Sequence, residues 1–165
     1  SAAIDALAPF DACFYCAGAP PVGTAEALYR QVTRDLTLHV ARAFAERNAD
    51  GRFLYVSGAH ADPDSRFMPL RVKGETERAL RELPLRTVML RPGGIQPAHG
   101  ERSPHAWMRP LYAVAAPLMG IGVRLAPGVM TGTAHLVRAL LALAAMPAPP
   151  PVVENADINR LGAPG

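Results

Sequence analysis

Residues 53–95 constrain the fold more than any other stretch of this sequence. They contain an apolar run, FLYVSG, then a charged segment, MPLRVKGETERALREL, and then a second apolar run, LPLRTVMLRPGG. Short apolar runs that end in small residues are typical of buried strands, and apolar positions recurring every three or four residues are typical of an amphipathic helix. The stretch therefore predicts strand, helix, strand, which is the unit of a parallel sheet.

The preceding residues extend this unit. Residues 11–18, DACFYCAG, predict a buried strand because they are short, continuous and apolar. Residues 24–47 predict a long helix with Thr24 as N-cap. Its expected buried stripe recurs every four residues and consists of Leu28, Val32, Leu36, Val40 and Phe44. Residues 11–95 thus predict β-α-β-α-β, half of a doubly wound α/β sheet.

The character of the sequence changes after residue 100. Residues 101–146 predict helical cover, and the apolar, aromatic first part is interrupted by Pro110 and Pro117. We expect that part to be a substrate lid or a dimer surface, and a helix to run from Thr131 to Met146. A last short strand is expected in PVVEN, residues 151–155. Residues 1–165 are predicted to form one domain, a partial Rossmann-type parallel sheet with helical cover towards the C terminus.

Composition argues against several classes of partner. Half of the residues are apolar, and the net charge of +3 comes from scattered basic residues, which favours a solvated surface over a nucleic-acid interface. Sixteen arginines against one lysine suggest a GC-rich bacterial genome. Residues 111–123 are apolar but too short to span a bilayer, which takes about 20 residues. No transmembrane segment is expected, and peripheral membrane contact through this stretch is an alternative reading.

Cys13 and Cys16 have C-x-x-C spacing, which is also found in redox and zinc sites. Within a strand, positions three apart face opposite sides and lie about 10 Å apart, too far for a disulfide. We therefore expect free thiols in a reducing compartment, the cytoplasm. His60, His99 and His105 form no ligand cluster with them, so no metal site is predicted.

Ligands of doubly wound sheets bind at the carboxyl ends of the strands. Here these ends carry Cys16-Ala17-Gly18, Val56-Ser57-Gly58 and Arg91-Pro92-Gly93. Together with their order, the motifs resemble the extended and atypical short-chain dehydrogenase/reductases of the NAD-dependent epimerase/dehydratase superfamily, and most of all a bacterial oxidoreductase-like branch. The resemblance covers nearly the whole chain, in residues 11–18, 29–43, 53–59, 68–80, 88–100 and, weakly, 152–161.

The resemblance implies NAD or NADP as cofactor and assigns residues to it. Cys16, Ala17 and Gly18 correspond to the strand end that lies against the adenine ribose. The segment passing the nicotinamide corresponds to Arg91, Pro92, Gly93 and Ile95. The alternative for the glycines is that they only form turns.

Two catalytic residues are implied in the same way. Ser57 corresponds to the strand that supplies the catalytic hydroxyl, although the family serine could also align with Gly58. Lys73 corresponds to the lysine that binds the nicotinamide ribose and lowers the pKa of a tyrosine; the alternative is a solvated helix charge. The family tyrosine lies four residues before that lysine, where this chain has Pro69, which cannot transfer a proton. Tyr55 and Tyr112 lack the spacing, so no proton donor is predicted.

The Gly-rich phosphate-binding turn of the family is also missing from the sequence. We expect the chain to begin part-way into the family fold, leaving residues 11–18 as an apolar sheet edge that pairs with another copy or with a completing polypeptide. Dinucleotide binding by this chain alone should then be weak. The expected function is that of an NAD(P)-dependent oxidoreductase or epimerase-like protein acting on an unknown small molecule; the alternative is a non-catalytic dinucleotide-binding regulator or scaffold.

Overall fold

A four-stranded parallel sheet lies at the centre of the chain, which a computed structural model describes over residues 10–48, 50–96 and 128–164. Its strands are β1 (Ala12–Tyr15), β2 (Arg52–Val56), β3 (Arg86–Arg91) and, last in sequence, β6 (Val152–Glu154). They are ordered β1-β2-β3-β6. All three pairings are parallel, with Cys13 opposite Phe53, Leu54 opposite Val88, and Leu90 opposite Val153. The predicted α/β fold with a parallel sheet is confirmed.

Helices connect these strands. The first connection contains α1 (Glu26–Arg30), a π-helical segment (Gln31–Asp35) and α2 (Leu36–Ala45), which follow one another without a break. The next helix, α3 (Met68–Arg81), joins β2 to β3. Two further helices are α4 (Thr133–Ala145) and α5 (Asn155–Leu161). Two short strands, β4 (Gly94–Gln96) and β5 (Met130–Gly132), form a separate parallel pair.

Alternate residues of the strands face opposite layers of helix, as the pleat of a strand requires. Phe53, Tyr55 and Met89 pack against α2 and α3. On the other face, the core consists of strand residues together with side chains of α4 and α5: Leu54, Val88, Leu90, Val153, Leu136, Ala139, Leu140, Leu143 and Ile158. The sheet is therefore covered on both faces, which explains the continuous apolar character of β2 and β3.

Arg52 joins this second layer to the sheet from the amino end of β2. Its guanidinium donates to the carbonyl oxygens of Leu143 at 2.6 Å and Ala144 at 2.7 Å, at the end of α4. The last carbonyls of a helix have no partner within the helix and carry partial negative charge. A buried arginine thus satisfies the end of α4 and fixes it against β2.

The predicted stripe of the first helix is correct at Phe44, which is buried, and wrong at Leu28 and Leu36. Leu28 and Leu36 are 53% and 45% exposed. Most of the buried residues lie one position further along, at Tyr29, Thr33, Thr37 and Ala41, and they are joined by Leu38 and Phe44. Hydrophobicity alone selects leucine over tyrosine and threonine, but threonine can be buried in a helix when its hydroxyl donates to a carbonyl one turn earlier, as Thr37 does to Thr33 at 2.7 Å.

β1 is less buried than its sequence predicted. It pairs with β2 on one side and, in the part of the chain that the structure describes, with nothing on the other. Phe14 is consequently 43% exposed. The expectation of an apolar edge strand is met, and the expectation of burial on both faces is not.

The C-terminal half differs from its prediction in two places. β5 lies within residues 101–146, where helical cover was expected, and the helix α4 begins only after it. The last predicted strand is present as β6, and α5 follows it directly. The expected lid, Tyr112, His99, His105 and residues 111–123 lie outside the described residues. None of the helices in the described ranges is long and apolar enough to cross a membrane.

Two leucines of α2 provide a matched test of which face is buried. Leu38 is 3% exposed and Leu36 is 45% exposed. Leu38→Ala should lower the free energy of unfolding by about 2–5 kcal/mol, as for other buried leucines. Leu36→Ala should lower it by less than about 1 kcal/mol. Urea denaturation followed by circular dichroism measures both, and equal effects would contradict the orientation of this helix.

Candidate active site at the carboxyl ends of the strands

Lys73 and Ser57 meet where β2 ends. The Lys73 ammonium donates a hydrogen bond to the backbone carbonyl of Ser57 at 2.6 Å. It also lies over Gly58, because a Cβ on that glycine would be 2.7 Å from Nζ. Lys73 reaches this position from the N-terminal half of α3, whose start lies at the same edge of the sheet. The structure therefore brings the two predicted catalytic residues together.

The Ser57 backbone is held in place, while its hydroxyl has no hydrogen-bond partner in the part of the chain that the structure describes. Its backbone N–H donates to the Leu90 carbonyl at 2.8 Å, which continues the β2–β3 pairing by one residue. The residue is 2% exposed, and its hydroxyl has no hydrogen-bond partner among the described residues. Buried hydroxyls without partners are rare, because losing water without replacement costs about 1–3 kcal/mol. This hydroxyl is suited to bond a group supplied from outside the chain.

Burial lowers the pKa of the Lys73 ammonium, and the nearby Glu77 carboxylate partly opposes this by raising it. Glu77 lies one turn further along α3 and is 1% exposed. An ammonium that is partly desolvated and, among the described residues, bonded only to the Ser57 carbonyl has donor capacity left, since lysine has three N–H donors. Lys73 can therefore bind a second acceptor at this edge of the sheet.

Glu77 belongs to a buried ion pair that sequence reasoning missed. Arg91, at the end of β3, donates to both of its oxygens, at 3.0 and 2.7 Å, and also to Glu154 at 3.1 Å. Glu77 raises the pKa of Arg91 well above its ordinary value. The pair fixes α3 against the carboxyl ends of β3 and β6. No local pattern marks this glutamate as buried, because neighbouring positions of a helix lie about 100° apart and Glu77 directly follows Thr76.

Tyr55 does not replace the missing tyrosine. It is 1% exposed, and burial raises its pKa well above the ordinary value. An acid–base tyrosine would need the opposite shift and access to the substrate. The structure places its ring in the core beneath α2 and α3, where it contacts Tyr15.

The end of β1 is open. Cys16, Ala17 and Gly18 are exposed, and a Cβ on Gly18 would meet no atom within 4 Å. These residues lie at the same edge as Ser57, since the strands are parallel and in register. A ligand extended across the carboxyl ends of β1 and β2 would pass them. Cys13 and Cys16 are free thiols.

The end of β3 is more closed than the sequence suggested. The Gly93 N–H donates to the Asn155 side chain at 2.7 Å, and a Cβ on Gly93 would lie 1.9 Å from the Val129 carbonyl oxygen. Gly93 was expected to let a ligand approach the backbone closely. Instead, the backbone of Val129 occupies that space. Pro92 is buried, and its carbonyl accepts the Ala59 N–H at 2.8 Å. Ile95, in β4, is 40% exposed.

Asn155, which no sequence pattern singled out, bonds the segments that meet at the end of β3. Besides accepting from Gly93, its amide donates to the Met130 carbonyl at 2.9 Å, and Asn159 donates to the same carbonyl at 2.7 Å. Asn155 thus connects the segment after β3 to β5, and Asn159 adds a second contact to β5. No group of three or more His, Cys, Asp or Glu side chains in residues 10–48, 50–96 and 128–164 could hold a metal ion.

Comparison with known proteins supports the fold. No protein-family model matches the chain. The NAD+ complex of the Bordetella bronchiseptica enzyme WbmF superposes with a TM-score of 0.58 at 15% identity, covering 96% of this chain and 59% of that one. The NADH complex of the same enzyme gives a TM-score of 0.61, again at 15% identity, over 96% and 58%. The chain has the Rossmann-type fold and spans about three fifths of WbmF.

A curated relative is Protein FMP52, mitochondrial, of Saccharomyces cerevisiae. It is 39% identical to the chain over 74 residues, which are 44% of this chain and 30% of that protein. The chain therefore matches less than a third of the length of this relative. A mitochondrial relative gives no support to the cytoplasmic location predicted from the cysteines, and a yeast relative gives none to a bacterial origin.

The titration of Lys73 tests its burial. Because it is the one lysine of the sequence, labelling with 13C-lysine gives a single Cε resonance. We expect its midpoint below the ordinary lysine value. Between the lowered folded pKa and the unfolded pKa the unfolded chain holds more protons, so stability should rise with pH across that window. A midpoint at or above the ordinary value would contradict the buried position of the ammonium.

The Glu77–Arg91 pair should be essential for stability. Glu77→Gln removes the buried carboxylate that pairs with Arg91 and leaves only the exposed Glu154 carboxylate beside it. We expect a loss of about 3 kcal/mol in the free energy of unfolding. Arg81, whose exposed side chain contacts the same carboxylate at 3.2 Å, provides the control. Arg81→Ala should cost less than about 1 kcal/mol. Similar losses for the two variants, measured by urea denaturation, would disprove the special position of Arg91.

Proposed function

We propose that the chain forms the substrate side of a dinucleotide site in an NAD(P)-dependent oxidoreductase or epimerase-like protein of the short-chain dehydrogenase/reductase superfamily. The observation that carries the proposal is the contact between Lys73 and the Ser57 carbonyl, beside a buried Ser57 hydroxyl that none of the described residues bonds. It places a cation and a free hydroxyl at the sheet edge where ligands of this fold bind. The NAD+ and NADH complexes of WbmF support the choice of ligand.

The residues present fit the nicotinamide half of NAD or NADP. Lys73 has donors left for the hydroxyls of a ribose, and the Ser57 hydroxyl can donate to a substrate oxygen. Cys16, Ala17 and Gly18 offer an open strand end for the rest of the dinucleotide. The bound nicotinamide would supply or accept the hydride. Ser57 and Lys73 would orient the reacting oxygen and favour negative charge on it.

The fit is poorer on the phosphate side. The described residues contain no Gly-rich turn between a strand and a helix, which is where this fold binds pyrophosphate. We therefore propose that dinucleotide binding by this chain alone is weak, and that a further copy or a separate polypeptide completes the site along β1. Its unpaired backbone and the exposed Phe14 side chain support this edge as the place of contact.

A non-catalytic dinucleotide-binding regulator or scaffold is the second candidate. Pro69 supports it, because the family tyrosine is replaced by a residue without an exchangeable proton. The burial of Tyr55 supports it too, since this tyrosine near the end of β2 is inaccessible. Both candidates require dinucleotide binding through Lys73, and only the first requires turnover.

Ligand-observed NMR tests the binding that both candidates share. Saturation-transfer difference spectra of NADH and NADPH with the purified chain should show transfer to the nicotinamide and its ribose. Lys73→Met keeps the apolar stem but removes the charge, and we expect it to lose most of this transfer. Arg78→Ala, on an exposed position of the same helix, is the control and should change nothing. No transfer at millimolar dinucleotide would overturn the proposal.

Turnover separates the two candidates. The chain is incubated with NADH or NADPH and para-nitrobenzaldehyde, an activated carbonyl probe, and the absorbance of the reduced nicotinamide is followed. Oxidation that disappears in Lys73→Met supports the enzyme. Binding without oxidation supports the regulator.

A further inference from the structure

A turn with an unusual residue follows Ser57. It runs from Gly58 to Ala61 and is closed by the Ala61 N–H, which donates to the Gly58 carbonyl at 3.3 Å. His60 is the third residue of this turn and has a φ of 59°. Glycine is the usual residue there, because a Cβ disfavours positive φ; among residues with a side chain, Asn, Asp and His adopt it most often. Within the described residues His60 is the only non-glycine residue with positive φ.

The surroundings hold this turn at the sheet edge. The Ala59 N–H donates to the Pro92 carbonyl at 2.8 Å, which ties the turn to the end of β3. The chain then packs on α3 at Gly74, where a Cβ would lie 2.2 Å from the Pro63 nitrogen. His60 is thus fixed in an unfavourable conformation from both sides. Strain that the surroundings maintain is often found at functional sites.

His60 is close to the two residues of the site. Consecutive Cα atoms are 3.8 Å apart, so the Cα of His60 lies within about 7.6 Å of that of Gly58. The Lys73 ammonium lies directly over Gly58. The His60 side chain is exposed and is therefore accessible to a substrate. Imidazole is the side chain most often used as a general acid or base.

Resting on the proposed function, we propose that His60 is the catalytic proton donor of this site and acts in place of the missing tyrosine. In the reduction of a carbonyl, the carbon gains a hydride from the reduced dinucleotide and the oxygen gains a proton from the His60 imidazolium. The products are an alcohol, the oxidised dinucleotide and a neutral imidazole, which then takes a proton from solvent. The reverse reaction returns the proton to His60. Ser57 bonds the same oxygen, and Lys73 binds the ribose.

Two substitutions remove the imidazole while keeping a residue that suits the backbone conformation of the turn. His60→Asn and His60→Gly both suit positive φ and lack an acid–base group. With NADH or NADPH and para-nitrobenzaldehyde, we expect kcat/KM to fall at least about 100-fold in each variant. Added imidazole should restore part of the activity of His60→Gly. Dinucleotide binding should stay unchanged, and the thermal midpoint of His60→Gly should be equal or about 2–4 °C higher. His39→Asn, at an exposed position of α2, should match the wild type.

A second measurement does not depend on turnover. Diethyl pyrocarbonate modifies accessible histidines, and mass spectrometry gives the rate for each one. NADH together with para-nitrobenzyl alcohol forms a complex that cannot react. It should slow modification of His60 and leave His39 unchanged.

The outcomes distinguish this inference from the function on which it rests. Turnover that persists in both His60 variants within about threefold of wild type overturns the role of His60 alone. Unslowed modification of His60 does the same. Loss of activity accompanied by loss of binding or a lower thermal midpoint would show that His60 is structural, and overturns it too. Binding without turnover in the wild type removes both the enzyme proposal and the proton donor.

Discussion

The ion pair between Glu77 and Arg91 fixes the geometry on which the candidate site depends. The Glu77 carboxylate is buried on one side of α3. The Arg91 guanidinium, which neutralises it, extends from the end of β3. A buried glutamate without this partner would be strongly destabilising, so α3 cannot slide or rotate against the sheet without breaking the pair. Lys73 precedes Glu77 by one turn of the same helix. The position of its ammonium over Gly58 therefore follows from where the ion pair holds α3.

The sequence predicts the frame of this arrangement well, because the frame depends on local patterns. The β2–α3–β3 unit follows from two apolar runs and one amphipathic segment, and β6 follows from PVVEN. The meeting of Lys73 and Ser57 also follows, once β2 is known to end, and α3 to begin, at the same edge of a parallel sheet. These inferences use periodicity and chain order, which are properties of neighbouring residues in the sequence.

The remaining features depend on contacts between distant segments, so no local pattern reveals them. Glu77 looks like any surface glutamate until Arg91 is found to face it. The first helix buries Tyr29 and Thr37 where the leucine spacing favoured Leu28 and Leu36. Thr37 satisfies its hydroxyl on the helix backbone and so behaves as a small apolar residue. Gly93 suggests an open approach for a ligand, yet Val129 and Asn155, more than thirty residues later in the sequence, occupy that space.

Pro69 suits the start of helix α3 but cannot transfer a proton. It lies in the first turn of α3, after Phe67 as N-cap. Proline is favoured there, because its missing N–H would have had no acceptor in the helix and its φ already suits the helix. The fold therefore gains from Pro69, while any proton that the family tyrosine would have supplied must come from another residue. The β2–α3 loop reaches the same edge of the sheet, and His60 keeps an imidazole there in a conformation that glycine would adopt more easily. A residue that opposes the local backbone preference needs a separate reason to be present, and proton transfer at the carboxyl end of β2 provides one.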